Sequence, residues 1–106
     1  MIIPAGDRAT EREVSAAVVA YLHTQPYGAA SFDLLRFNVP LWIKLSDKDR
    51  EVARERDNEP KWVGVLRNIA AHSKTSGNFI HDGVLVKRRG GGYQLASRVK
   101  PPPVTV

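Results

Sequence analysis

Two stretches decide how this chain folds: Pro60-Lys61-Trp62-Val63-Gly64-Val65-Leu66-Arg67-Asn68-Ile69 and, further on, Val84-Leu85-Val86-Lys87-Arg88-Arg89-Gly90-Gly91-Gly92-Tyr93-Gln94-Leu95. In the first, Trp62, Val65, Leu66 and Ile69 fall at i, i+3, i+4 and i+7, one apolar stripe of a helix. Pro60 suits the first helical position, where its missing N–H costs nothing. In the second, strand-like runs (Phe79 to Arg88, then Tyr93 to Ala96) flank Arg89-Gly90-Gly91-Gly92, and glycine supplies the positive φ that a hairpin loop requires. The spacing predicts a helix over 60–73, ended by Ser76-Gly77-Asn78, then a hairpin with the Tyr93 ring facing the core.

Charge separates along the same line. Residues 61–106 hold eight Lys or Arg against one acid, Asp82, a net +7, whereas residues 1–60 carry a net −2. A basic helix, hairpin and tail suggest a surface that faces a polyanion.

Upstream, Thr10 with Glu13 reads as a capping box, and Val14, Ala17, Val18, Tyr21 and Leu22 follow at helical spacing. A helix is predicted over 11–24, stopped by Pro26, after a lead at 1–9. Tyr27-Gly28-Ala29-Ala30 reads as a brief extended or turn segment. Ser31 caps a second helix whose apolar positions are Leu34, Leu35 and Phe37, and which ends before Pro40. Val39, Leu41, Ile43 and Leu45 suit a short strand or a packed loop equally. Ser46-Asp47-Lys48-Asp49 opens a charged helical turn, and 47–59 is expected to be an exposed connector with little core. Trp62, Val65, Leu66 and Ile69 are expected to pack on Val18, Leu22 and Leu34. Pro101-Pro102-Pro103 marks residues 98–106 as a polyproline-like, flexible tail.

At 106 residues, with 42% hydrophobic and 25% charged, the chain suits a single small globular domain rather than a disordered segment. The absence of Cys excludes disulfides and thiolate metal sites, and no apolar run approaches the ~18 residues of a membrane span. Met1-Ile2-Ile3-Pro4 lacks the basic start of a secretory signal, so a cytoplasmic protein, or a domain from a longer intracellular chain, is expected; DNA binding would make it nucleoid-associated.

The order is helix, short extended piece, helix, connector, helix, strand, turn, strand. That is the layout of a winged helix-turn-helix, an α+β fold of three main helices and a C-terminal two-stranded wing, here spanning 10–97. In that layout Lys61, Arg67, Asn68 and Lys74 project from the third helix. Arg or Lys suits guanine O6 and N7, and Asn suits adenine N6 and N7. Lys87, Arg88 and Arg89, with Gly90 and Gly91, suit a wing lying on phosphates or entering a minor groove.

The run Leu45-Ser46-Asp47-Lys48-Asp49-Arg50 resembles the Leu-Ser-Asp-x-Asp-Arg stretch in the N-terminal winged-helix domain of Mrr-type restriction endonucleases, and is similar to related small winged-helix modules of DNA-processing proteins. Trp62, Val65 and Leu66, then Gly83-Val84-Leu85, Arg88-Arg89-Gly90 and Tyr93-Gln94-Leu95 continue the likeness over roughly 10–97. The resemblance implies a double-stranded DNA partner and a non-catalytic targeting domain with a fused or associated nuclease. Glu59-Pro60-Lys61 with Asp47 or Asp49 imitates the spacing of such a nuclease site. That site requires its carboxylate and lysine on a strand facing one metal ion, whereas Pro60 opens a helix. No enzymatic activity is therefore expected. His23, His72 and His81 lack the i, i+4 spacing of a helical metal site and read as solvated, so no metal or cofactor is expected. Trp42 and Trp62 read as core. A winged helix that binds another protein, or RNA, is the competing expectation.

Overall fold

A computed structural model describes residues 2–99; residues 100–106 of the expected tail lie outside them. The fold is α+β, with four α-helices and a small antiparallel sheet. The helices are α1 (Glu11–Leu22), α2 (Phe32–Asn38), α3 (Asp47–Arg50) and α4 (Lys61–Ala71). The strands are β1 (Ala29–Ala30), β2 (Val52–Ala53), β3 (Glu59–Pro60), β4 (Leu85–Lys87) and β5 (Tyr93–Leu95). The antiparallel sheet runs β1-β5-β4, and β2 pairs with β3 in a separate hairpin. The charged helical turn expected from Ser46 onward is α3, while a third strand in the sheet and the β2–β3 hairpin add to the three main helices and two-stranded hairpin expected from sequence.

Local capping chemistry explains where the helices begin. Thr10 accepts a hydrogen bond from Glu13 N while the Glu13 carboxylate accepts from Thr10 N, and α1 starts there. It ends at Leu22, two residues short of the expected 24, and a turn carries the chain to Pro26. Ser46 and Asp49 form a second capping box that opens α3. Ser31 caps α2 by accepting from Leu34 N at 3.3 Å. Pro60 occupies the cap rather than the first turn of α4, so Lys61 is its first residue.

α1 packs on α4, and the sheet closes the core beneath them: Val14, Val18, Leu22, Leu35, Val39, Ile43, Trp62, Val63, Leu66, Ile69, Leu85, Tyr93 and Leu95 are all buried. The α4 stripe holds at Trp62, Leu66 and Ile69, whereas Val65 is half-buried and Val63 is buried in its stead. The second helix departs further. Leu35 and Val39, four apart, face inward, which turns Leu34 and Phe37 outward, with Phe37 85% exposed. Leu34 is therefore not the partner of α4, and Leu35 fills that place in the core. Trp42 is half-buried, and Trp62 is core as expected.

Three long-range connections complete the frame. Ile3 bridges Ile43, and the buried Asp49 carboxylate accepts from Ala9 N at 2.9 Å, so the lead is tied to the body. The 47–59 segment is not the bare connector its composition suggests: Asp49 and Ala53 are buried, and the chain turns back through left-handed Asp57 and Asn58. Asp and Asn tolerate that conformation better than most residues. Finally, the run from Phe79 is strand only at Leu85–Lys87. The buried Asn78 side chain donates to Ile69 O at 2.9 Å and accepts from Ile80 N and His81 N, which holds 78–83 in turns.

Candidate functional site

The expected site residues lie on α4, in the loop after it and on the β4–β5 turn. The last of these is shaped by glycine. Gly90, Gly91 and Gly92 all have positive φ, and Arg88 closes the turn by donating to Gly92 O at 3.0 Å. Their surroundings differ. A Cβ on Gly90 would meet open space, whereas one on Gly92 would lie 2.0 Å from Ala30 O. The close backbone approach at Gly92 is thus to β1 inside the protein, and Gly90 and Gly91 form the open tip.

Tyr93 follows and fastens β5 to α4. Its hydroxyl donates to Leu66 O at 2.7 Å and accepts from Ala70 N at 3.2 Å. Burial pushes this phenol up to about 12. One turn of α4 is thereby held in register with the hairpin.

Arg67, on that same stretch of α4, is engaged on two sides. Its Nε donates to Glu59 Oε2 at 3.0 Å, Nη2 donates to Glu59 Oε1, and the guanidinium sits 4.3 Å from the centre of the Phe32 ring. The bond to Glu59 raises its pKa further above an already high value. Arg67, Lys87, Gly91, Gly92, Phe32, Ala70 and Tyr93 together line a groove of about 310 Å³. Helix and hairpin residues expected to share a partner are thus neighbours at this point.

Lys61 and Asn68 belong to a different groove, with Arg8, Ala53, Glu55, Gly64 and Val65. Lys61 Nζ lies 2.9 Å from Glu51 Oε2, and that bond lowers the pKa of Glu51. Lys74, Arg88, Arg89 and Gly90 line neither groove. Among the described residues, Lys74, Lys87, Arg88 and Arg89 make no ion pair, unlike Lys61 and Arg67.

No family model, curated protein or solved structure matches this chain. The residues that sequence reasoning missed are Phe32, at the start of α2, and Glu51 and Glu59, whose roles depend on the β2–β3 hairpin returning to α4. The one local signal for that return is Asp57-Asn58 between Val52 and Pro60, a turn dipeptide hidden in a charged run.

Two of the three histidines are also paired. His72 Nδ1 lies 2.6 Å from Glu11 Oε1, and His81 Nδ1 lies 2.7 Å from Asp82 Oδ1, so these two histidines face carboxylates rather than water alone. The bond from His81 lowers the Asp82 pKa. No group of three His, Asp or Glu able to hold a metal occurs among the described residues. Glu59 and Lys61, the nuclease-like pair, are directed to Arg67 and Glu51 respectively, and Asp49 is turned to Ala9 N. No helix among the described residues is long and apolar enough to cross a membrane.

Proposed function

We propose that this chain is a winged-helix module that binds double-stranded DNA, with α4 as the recognition helix and the β4–β5 turn as the wing. It acts as the non-catalytic targeting part of a restriction or other DNA-processing system, the nuclease residing elsewhere. The element order supports this reading, because a short strand between α1 and α2 joins the sheet beside β5, and α4 precedes the hairpin directly. The observation that carries it is the β4–β5 turn. Among the described residues, Lys87, Arg88 and Arg89 stand without ion pairs at a glycine tip, next to a groove shared with α4. Unpaired cations beside bare backbone are what a phosphate strand requires, and such contacts position a protein on a duplex.

Salt dependence tests the proposal. Five cations in 61–99 make no ion pair among the described residues: Lys74, Lys87, Arg88, Arg89 and Arg98. If all five meet phosphates, log K against log salt falls with a slope of about −4.5, at roughly −0.9 per contact. Duplex binding that is flat in salt removes the reading, and stronger binding to duplex RNA of the same sequence moves it to RNA.

A second reading, protein binding, is favoured by a different surface. Phe37, 85% exposed, lines a groove of about 610 Å³ that also holds Pro40, Arg36, Arg50 and Asp33. Two arginines against one aspartate suit an apolar partner segment flanked by acids. Phe37→Asp tests it: a protein-binding module loses its partner, whereas DNA affinity stays within about twofold.

A further inference from the structure

The bidentate contact between Arg67 and Glu59 changes what Arg67 can do. A guanidinium carries five N–H donors. Glu59 takes Nε–H and one Nη2–H, and Arg67 makes no other hydrogen bond among the described residues. Two Nη1–H donors and the second Nη2–H remain, which form a two-pronged fork at the end of the side chain. Phe32 supports the guanidinium from one side at 4.3 Å, and the side chain is 48% exposed. The groove it lines is walled by Lys87 and by Gly91, which has no side chain to block an approaching base edge.

Charge and geometry now favour different ligands. Next to Glu59 the pair is close to neutral, so Arg67 adds little attraction for a phosphate, and the carboxylate would repel one. The directional donors survive that neutralisation. Arginine ordinarily loses rotamer entropy on being held in place, and here the ion pair and the ring have already imposed much of that order. A pre-oriented pair of donors with little net charge suits a base edge. In the major groove guanine alone offers two acceptors, N7 and O6, side by side, whereas adenine offers an acceptor and a donor.

Resting on the duplex-DNA reading above, we infer that Arg67 is the residue that selects guanine, with Glu59 and Phe32 as its positioning residues and Lys87 holding the adjoining phosphate.

The experiment uses the full chain and chemically edited DNA. Duplexes retained by the protein from a random pool are sequenced, and each enriched guanine is replaced in turn by 7-deazaguanine. That base keeps Watson–Crick pairing and the phosphates but lacks the N7 acceptor. Dissociation constants are then measured for the wild type and for Arg67→Lys, which keeps the charge beside Glu59 but has no planar fork. One guanine is expected at which the edit weakens wild-type binding by about 5- to 150-fold, the range of a bidentate base contact. At that position the edit should weaken the Arg67→Lys protein by clearly less than it weakens the wild type, because lysine has no planar fork to bond N7 and O6 together. Glu59→Gln, which keeps one acceptor, should show an intermediate loss.

Duplex binding that depends on salt yet tolerates 7-deazaguanine at every position overturns this inference and leaves the DNA reading standing. Equal sensitivity in the wild type and Arg67→Lys also overturns it, assigning guanine to another residue. Absence of salt-dependent duplex binding overturns both. The wild-type measurement on edited DNA stands whether or not a variant folds.

Discussion

On α4, Lys61 and Arg67 each meet a carboxylate from the β2–β3 segment, Glu51 at 2.9 Å and Glu59 at 3.0 Å; on the β4–β5 turn, Lys87, Arg88 and Arg89 meet none among the described residues. In the linear sequence all five belong to one basic segment. Folding sorts them into two kinds of cation. Those of the helix are held and locally compensated, so their value lies in donor geometry. Those of the turn are uncompensated and sit beside open glycines, so their value lies in charge. On the duplex-DNA proposal, net charge along the sequence marks the region that would face the polyanion, while ion pairing separates residues that would supply attraction from those that would supply discrimination.

That division requires helix and hairpin to share one rigid frame, and the first three predictions attack the frame. Gly92→Ala should be the most damaging, because its Cβ would overlap the Ala30 carbonyl at a backbone position with φ of +85°. A loss on the order of 4 kcal/mol combines overpacking against backbone with left-handed strain. Gly90→Ala, where no atom lies within 4 Å, should show the strain alone, about 1–2 kcal/mol. Equal melting temperatures for the two variants would mean that the hairpin is not seated on β1.

Leu66→Ala empties the centre of the α4 stripe, where the side chain is fully buried. It should cost ~2–5 kcal/mol in chemical denaturation, and a near-native transition would contradict the packing of α4 on α1.

Tyr93 tests the tie between β5 and α4. Its folded pKa of about 12 exceeds the unfolded value near 10, so its contribution is fully present below pH 10 and is lost as pH rises through 12. Roughly 2–3 kcal/mol of stability should disappear across that window, and Tyr93→Phe should flatten the dependence there. Parallel pH curves for the two proteins would place the hydroxyl outside the core.

How much of this was legible beforehand follows from range. The Thr10–Glu13 and Ser46–Asp49 boxes, the Trp62–Leu66–Ile69 stripe and the glycine turn involve residues within a few positions of one another, and spacing reveals them. Leu34 and Phe37 misled because a seven-residue helix has too few apolar positions to define its inward face, which Val39 beyond its end decides. Glu59 with Arg67, Glu51 with Lys61, and Asn78 with Ile69 meet only because the chain turns back between them, and no period in the sequence encodes that return. The Leu-Ser-Asp-x-Asp-Arg run shows the same limit. Ser46 and Asp49 in it clip the lead onto the body, Ser46 donating to Asp7 O and Asp49 accepting from Ala9 N, so the residues that suggested a DNA-binding family serve the frame.

The smallest effect on stability should accompany one of the larger effects on binding. Arg88→Ala with Arg89→Ala removes two exposed or half-buried cations that make no ion pair, and stability should change by less than ~0.5 kcal/mol.

Duplex affinity of that double variant, measured across a salt series beside the wild type, tests the division between attracting and discriminating cations most directly. The slope of log K against log salt should become shallower by about 1.8, two contacts at roughly −0.9 each, with the same loss on every sequence. An unchanged slope, or a loss confined to particular sequences, would contradict it.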